Sequence, residues 1–214
     1  QLLLGGGKSN NPLIVSLNHC FDVNWCVEFI NDDYESGFIQ DITIFNNQII
    51  ALTYLNPVDQ NNRTDRVFLF SFDFEGNFLW KKVYASRDNY PEMDFPYGNY
   101  LQNFGNYLII SGYCYYPFPN NPNVMGRRPL FIRIDSLYNE EWVLPFGVDE
   151  DLIGLAGGVI EKDIQGNNIS VGQYNGPLSY SDKTGIMEFN QLGERTGLHL
   201  IPNEQIGSNI VSNY

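Results

Sequence analysis

Trp25, Trp80 and Trp142 are the only tryptophans in this chain, and seven residues before each stands Asn18, Asp73 or Asp135. An apolar run precedes each of these anchors, at 13–17, 67–72 and 130–134. A fourth copy, residues 185–189 followed by Asn190, has Gly197 at the tryptophan position. The anchors at 18, 73, 135 and 190 lie 55, 62 and 55 residues apart. A unit repeating at such a period cannot bury its apolar face alone, and must stack against its neighbours.

The second half of each unit repeats as well. Residues 47–54 align with 106–113 and with 168–174, and residues 2–7 look like the tail of another copy, so the sequence opens in mid-unit. Each unit reads as four short strands, in the first full unit near 39–45, 48–54, 66–73 and 78–84. Asn46-Asn47 and Phe74-Glu75-Gly76-Asn77 supply tight-turn chemistry between them. The two middle strands are apolar at nearly every position, as expected of a sheet covered on both faces. Only three alanines occur, at 51, 85 and 156, which argues against helices. The expected fold class is all-β, a β-propeller of four-stranded antiparallel blades. The chain holds about four blades' worth of strands in one domain: a partial blade over 1–30, blades near 38–85, 98–147 and 154–201, and the first strand of another at 205–214. It reads as part of a larger propeller, with a four-bladed ring closed by its own termini as the alternative.

The stretch Phe72-Asp73-Phe74-Glu75-Gly76-Asn77-Phe78-Leu79-Trp80 resembles the blade motif of secreted and cell-surface β-propeller repeat proteins of Bacteroidetes-type bacteria, roughly Ile-x-Ile-Asp-x-x-Gly-Asn-x-x-Trp. The segment 134–142 matches with Tyr138 in place of Gly. The resemblance covers essentially the whole chain. It implies an extracellular or outer-membrane-surface location in a bacterium and export by the type IX route, and is almost silent on activity.

Charge narrows the partners. With 12 basic and 25 acidic residues the net charge is −13, which disfavours nucleic acid and anionic membrane surfaces. Apolar runs of strand length leave no membrane-spanning helix. Cys20, Cys26 and Cys114 are odd in number and lack CxxC spacing, so they form neither a disulfide framework nor a zinc site. His19 and His199 have no catalytic partner in any local motif, and the Trp-bearing repeat reads as packing between blades rather than as a quinone-cofactor motif. Asn18, Trp25, Asp73, Gly76, Trp80, Asp135, Trp142 and Asn190 are accordingly assigned structural roles.

Function is expected at the other end of the blades, where the connections are longer and richer in composition. That end carries Asp32, Asp33 and Glu35; Tyr90, Glu92 and Asp94; Tyr116, Phe118 and Arg127, in a segment read as a loop over 115–128; and Asp149, Glu150 and Asp151. The expectation is a non-enzymatic surface module that binds a protein or glycan through this acidic, aromatic face, without a required cofactor. Ca²⁺ held by the carboxylates is a secondary possibility, although none has EF-hand spacing. The alternatives are a carbohydrate-active enzyme using Asp94 or Asp151 as acid/base groups, and a structural subunit of a bacterial surface or secretion assembly.

Overall fold

The computed structural model describes residues 1–30, 33–58, 66–118, 121–146, 153–161, 167–175 and 183–201. The fold is all-β, and among these residues there is no helix, hence none long and apolar enough to cross a membrane. Four antiparallel sheets follow one another along the chain. The first contains β1 (Leu2–Lys8), β2 (Asn11–Leu17) and β3 (Val23–Glu28). The second contains β4 (Tyr34–Phe45), β5 (Gln48–Pro57), β6 (Val67–Phe72) and β7 (Phe78–Tyr84). The third contains β8 (Asp94–Asn103), β9 (Tyr107–Phe118), β10 (Asn121–Asp135) and β11 (Glu140–Pro145). In the fourth, β12 (Ile153–Leu155) and β13 (Val159–Glu161) both pair with β14 (Asn168–Asn175), which is followed by β15 (Lys183–Phe189) and β16 (Arg195–Leu200).

Strand order within each sheet follows chain order, as hairpin connections require. In the fourth sheet the first strand is interrupted at Ala156-Gly157-Gly158. There the Ala156 N–H donates to Gly112 O at 2.8 Å and Ser111 Oγ donates to Gly157 O at 2.7 Å, tying this break to the third sheet.

The core lies in three slabs between successive sheets. Ile14, Ile49, Phe70 and Phe72 fill the first, Leu52, Leu69, Ile110 and Ile132 the second, and Ile109, Phe131, Met187 and Phe189 the third. Every residue of β6 is buried, which explains its unbroken apolar run: one face packs against the sheet before, the other against the sheet after. The first strands of the second and third sheets also lie against each other. Asp41 on β4 accepts the Leu101 N–H of β8 at 2.8 Å.

Strand limits differ from the sequence expectation mainly at one end. The first strand of the second sheet begins at Tyr34 rather than near 39, its continuity carried through two register shifts. Residues 115–118 and 121–128 form the ends of a long β9–β10 hairpin, not a loop. The Tyr- and Phe-rich stretch 113–118 favours extended backbone strongly enough to carry the ladder past the sheet. The strand expected at 205–214 lies outside the described residues. All three cysteines are free thiols; Cys20 and Cys26 are exposed, and burial pushes the Cys114 thiol pKa well up.

Candidate functional site

The two ends of the sheets are built differently. At one end the anchor residues make the same turn four times. The first residue's Oδ1 accepts the backbone N–H two and four positions on: Cys20 and Asp22 for Asn18, Glu75 and Asn77 for Asp73, Leu137 and Asn139 for Asp135, Leu192 and Glu194 for Asn190. Its own N–H donates to the fifth residue's carbonyl at 2.9–3.0 Å. The fourth residue takes positive φ each time: Phe21, Gly76, Tyr138 and Gly193. The first and fifth side chains always pair an amide with a carboxylate, as Asn18/Asp22, Asp73/Asn77, Asp135/Asn139 and Asn190/Glu194.

The tryptophans fasten these turns to one another. Trp25 Nε1 donates to Phe74 O at 2.9 Å and Trp142 Nε1 to Gln191 O at 3.0 Å, each reaching the turn of the next sheet. A Cβ on Gly76 would lie 2.6 Å from the Trp25 ring. Where Tyr138 replaces Gly, Trp80 packs on its ring at 4.6 Å and donates to Gln48 instead. The repeat motif therefore serves structure.

The opposite end holds the residues singled out for binding. Asp32, Asp149, Glu150 and Asp151 lie outside the described residues. Asp33 accepts the Val58 N–H through its carbonyl at 3.2 Å, and Glu35 accepts from Asn56 at 3.4 Å. Tyr90 donates to Glu140 Oε1 at 2.9 Å and packs on the second slab; burial foremost, then Glu140, pushes its phenol up to about 12. The Tyr116 hydroxyl donates to Glu92 Oε2 at 2.5 Å, and Phe118 covers the Arg128 guanidinium at 4.6 Å. Among the described residues no three His, Cys, Asp or Glu side chains converge as metal ligands.

Asp94 and Arg127 belong to a different arrangement, a row of aromatic rings shared by the second and third sheets. Phe38 meets Tyr54 at 5.4 Å between centroids, Tyr54 meets Tyr97 at 4.7 Å, and Tyr97 stacks on Tyr113 at 5.1 Å and 14°. Tyr113 then meets Tyr115, and Tyr115 meets Phe95, each at 6.2 Å. The last two rings are the most open, 36% and 41% exposed. With Asp94 and Met125 they line a shallow pocket of about 370 Å³.

Strand pairing sets this geometry. Asp94 and Arg127 are both in register with Tyr115, from β8 and β10 respectively, so the three share one face of the third sheet with the ring in the middle. The Arg127 guanidinium lies 5.8 Å from the Tyr113 ring. Arg66 closes the row, 4.5 Å from Phe95 and 5.8 Å from Tyr54. The Tyr97 hydroxyl accepts a hydrogen bond from Gln40. Burial first, with neighbouring phenols, pushes Tyr97 up to about 12 and raises Tyr113, so both phenols stay neutral and able to donate at physiological pH.

Sequence reasoning singled out Asp94 and Arg127 and counted Tyr115 in the loop over 115–128, but did not single out Phe38, Tyr54, Arg66, Phe95, Tyr97 or Tyr113. The available signal was the alternation at Tyr113 and Tyr115, which puts both side chains on one face of an extended strand. A second hollow, about 230 Å³, lies between the first and second sheets among Phe29, Tyr34, Leu55, Phe70, Phe78 and Lys81. Asn10, Asn11 and Ser36 also line it. No family model matches the chain, and no curated protein matches it.

Proposed function

We propose that the four sheets are consecutive blades of a β-propeller, and that the protein is a non-enzymatic module that binds saccharides at the surface of a bacterium or in secreted form. The single observation that carries the binding reading is the row of half-open rings from Phe38 to Phe95. A pyranose presents a face of C–H groups that packs on an aromatic ring, with hydroxyls at its rim for polar partners. Tyr115 offers such a ring between a carboxylate, Asp94, and a guanidinium, Arg127. The blade reading is supported by sheet after sheet packing through one slab each, with the Trp of one sheet reaching the turn of the next. Surface location is supported by the likeness of the repeat to exported propeller proteins.

The test is calorimetric titration with a panel of soluble polysaccharides, read beside product analysis for hydrolysis. Tyr115→Ala is expected to weaken binding about tenfold, or ~1.4 kcal/mol, with the unfolding midpoint unchanged. Absence of binding to every saccharide would overturn the reading, and steady release of product would overturn its non-enzymatic part.

A further inference from the structure

Among the described residues, two cations stand beside the aromatic row without an anion. Arg66 is 7% exposed. Its Nη1 donates to two neutral oxygens, Tyr54 Oη at 2.5 Å and Asn56 Oδ1 at 2.6 Å, and its guanidinium lies over the rings of Phe95 and Tyr54. Arg127 is half-buried, with the Tyr113 ring beside it. Neither has a carboxylate within ion-pair distance among the described residues. Carboxylate-paired cations occur elsewhere, Lys8–Glu28 at 2.9 Å and Arg133–Glu141 at 2.5 Å, while Lys82 bonds the neutral oxygens of Tyr138 and Asn139.

Acidic residues outnumber basic ones by 25 to 12, so carboxylates are not scarce in the chain. Withdrawing a guanidinium from water without a counter-ion costs stability that neutral acceptors and ring faces offset only in part. Five N–H donors in a planar fork are suited to bidentate contact with a carboxylate, and the Nη1 bonds of Arg66 leave the rest of its fork uncommitted. Both arginines act on one point: each favours the ionised form of the Tyr113 phenol, against the larger opposing effect of burial.

We infer that the site selects saccharides carrying a carboxylate, that is uronate-containing glycans, with the sugar ring on Tyr115 and Phe95 and its carboxylate between Arg127 and Arg66. This rests on the saccharide-binding reading above and adds the substrate class to it. Asp94 lies across Tyr115 from Arg127, two strand spacings or about 10 Å between backbones. That distance separates the ligand's carboxylate from the protein's own. Recognition is by short-range contact, because the net charge of −13 repels a polyanion at long range. The measurement therefore belongs at about 0.15 M salt, where the screening length is about 8 Å.

The experiment compares polygalacturonate with the same polymer methyl-esterified, a neutral β-glucan, and polyglutamate as a carboxylate polymer without sugar rings. The expected result is binding to polygalacturonate at least tenfold tighter than to its ester, with no binding to polyglutamate. Arg127→Gln, a half-buried position, is expected to remove most of that preference, polygalacturonate losing more affinity than its ester, with the circular-dichroism melting curve in place. Arg66→Gln serves as a second variant wherever its melting curve shows a folded protein. Equal affinity for polygalacturonate and its ester would overturn the uronate inference and leave saccharide binding standing. Equal affinity for polyglutamate would overturn it in favour of unspecific anion capture. Failure of every saccharide to bind would overturn both readings.

Discussion

The turn end and the aromatic end of the same sheets obey different rules. The four turns anchored at Asn18, Asp73, Asp135 and Asn190 share one hydrogen-bond pattern and one positive-φ position although their residues vary. The aromatic end has no such repetition. Its connection is a two-residue turn at Ser9-Asn10 in the first sheet and a strand-length hairpin beyond Tyr113 in the third. Where geometry repeats through changing residues, the demand is structural. Where each unit departs from the last, the positions are available for a ligand. If the turn end is as uniform and as structural as its hydrogen bonds make it, substitutions there act on stability alone.

The largest effect is expected at Gly76. Its φ of +88° is costly for any residue with a Cβ, and that Cβ would meet the Trp25 ring at 2.6 Å. Gly105 has nearly the same φ, +84°, with nothing within 4 Å of a Cβ. Gly105→Ala isolates the backbone cost, about 1 kcal/mol. Gly76→Ala adds displacement of the tryptophan that staples two sheets, for a total of about 2–4 kcal/mol. Urea denaturation of both variants separates the two contributions. Equal losses would mean that Trp25 does not fasten the turn.

Next comes acid sensitivity of the turns. In Asp73 the hydrogen bond from the Asn77 side chain holds the carboxyl below its ordinary 3.8, helped by backbone N–H groups. In Asp135 partial burial pushes upward, but the Asn139 and Leu137 donors outweigh it and the net shift is down. A carboxylate depressed in the folded state contributes its full stability above the ordinary value, and loses it as pH falls through the folded value. Stability should therefore drop below about pH 4, and less so in Asp73→Asn/Asp135→Asn. The exchange Asp73→Asn/Asn77→Asp recreates the polarity of Asn18/Asp22, and is expected to recover most of what either single change loses at pH 7. Failure of that recovery, read from denaturation midpoints, would show that the four turns are not interchangeable.

This contrast also explains what was legible in the sequence. The Asp-centred turn spans five residues and closes through its own backbone, so local pattern sufficed to place it and to assign Trp25, Trp80 and Trp142 to packing. The unbroken apolar runs of β5 and β6 announced sheets covered on both faces. The aromatic row was hidden because Phe38, Tyr54, Tyr97 and Tyr113 come from four strands of two sheets. Which rings meet depends on register shifts in β4 and β8, at Ile39/Asp41, Asp94/Tyr97 and Gly98/Tyr100. A bulge changes which face each later side chain occupies, and no local motif records it. Acidic composition directed attention to carboxylates, whereas the pairing partners of Tyr90, Tyr116 and Glu35 lie across the sheet, beyond the reach of sequence spacing.

The smallest effect tests the turn position itself. Phe21 and Tyr138 occupy the positive-φ place where the other two turns have glycine, at φ 65° and 64°. Phe21 is 74% exposed, so Phe21→Gly removes backbone strain with little packing to lose, and a gain of about 1 kcal/mol is expected. Tyr138 relieves the same strain on substitution, but its ring carries Trp80 and its hydroxyl donates to Phe45 O at 3.2 Å. Tyr138→Gly is expected to destabilise, because the lost stacking and hydrogen bond exceed the relief. Opposite signs for the two substitutions in thermal melts would show that the third turn traded backbone ease for a hold on its neighbour. A gain in both would mean that the Trp80–Tyr138 contact contributes nothing, and that the tryptophans staple the sheets only where glycine lets them in.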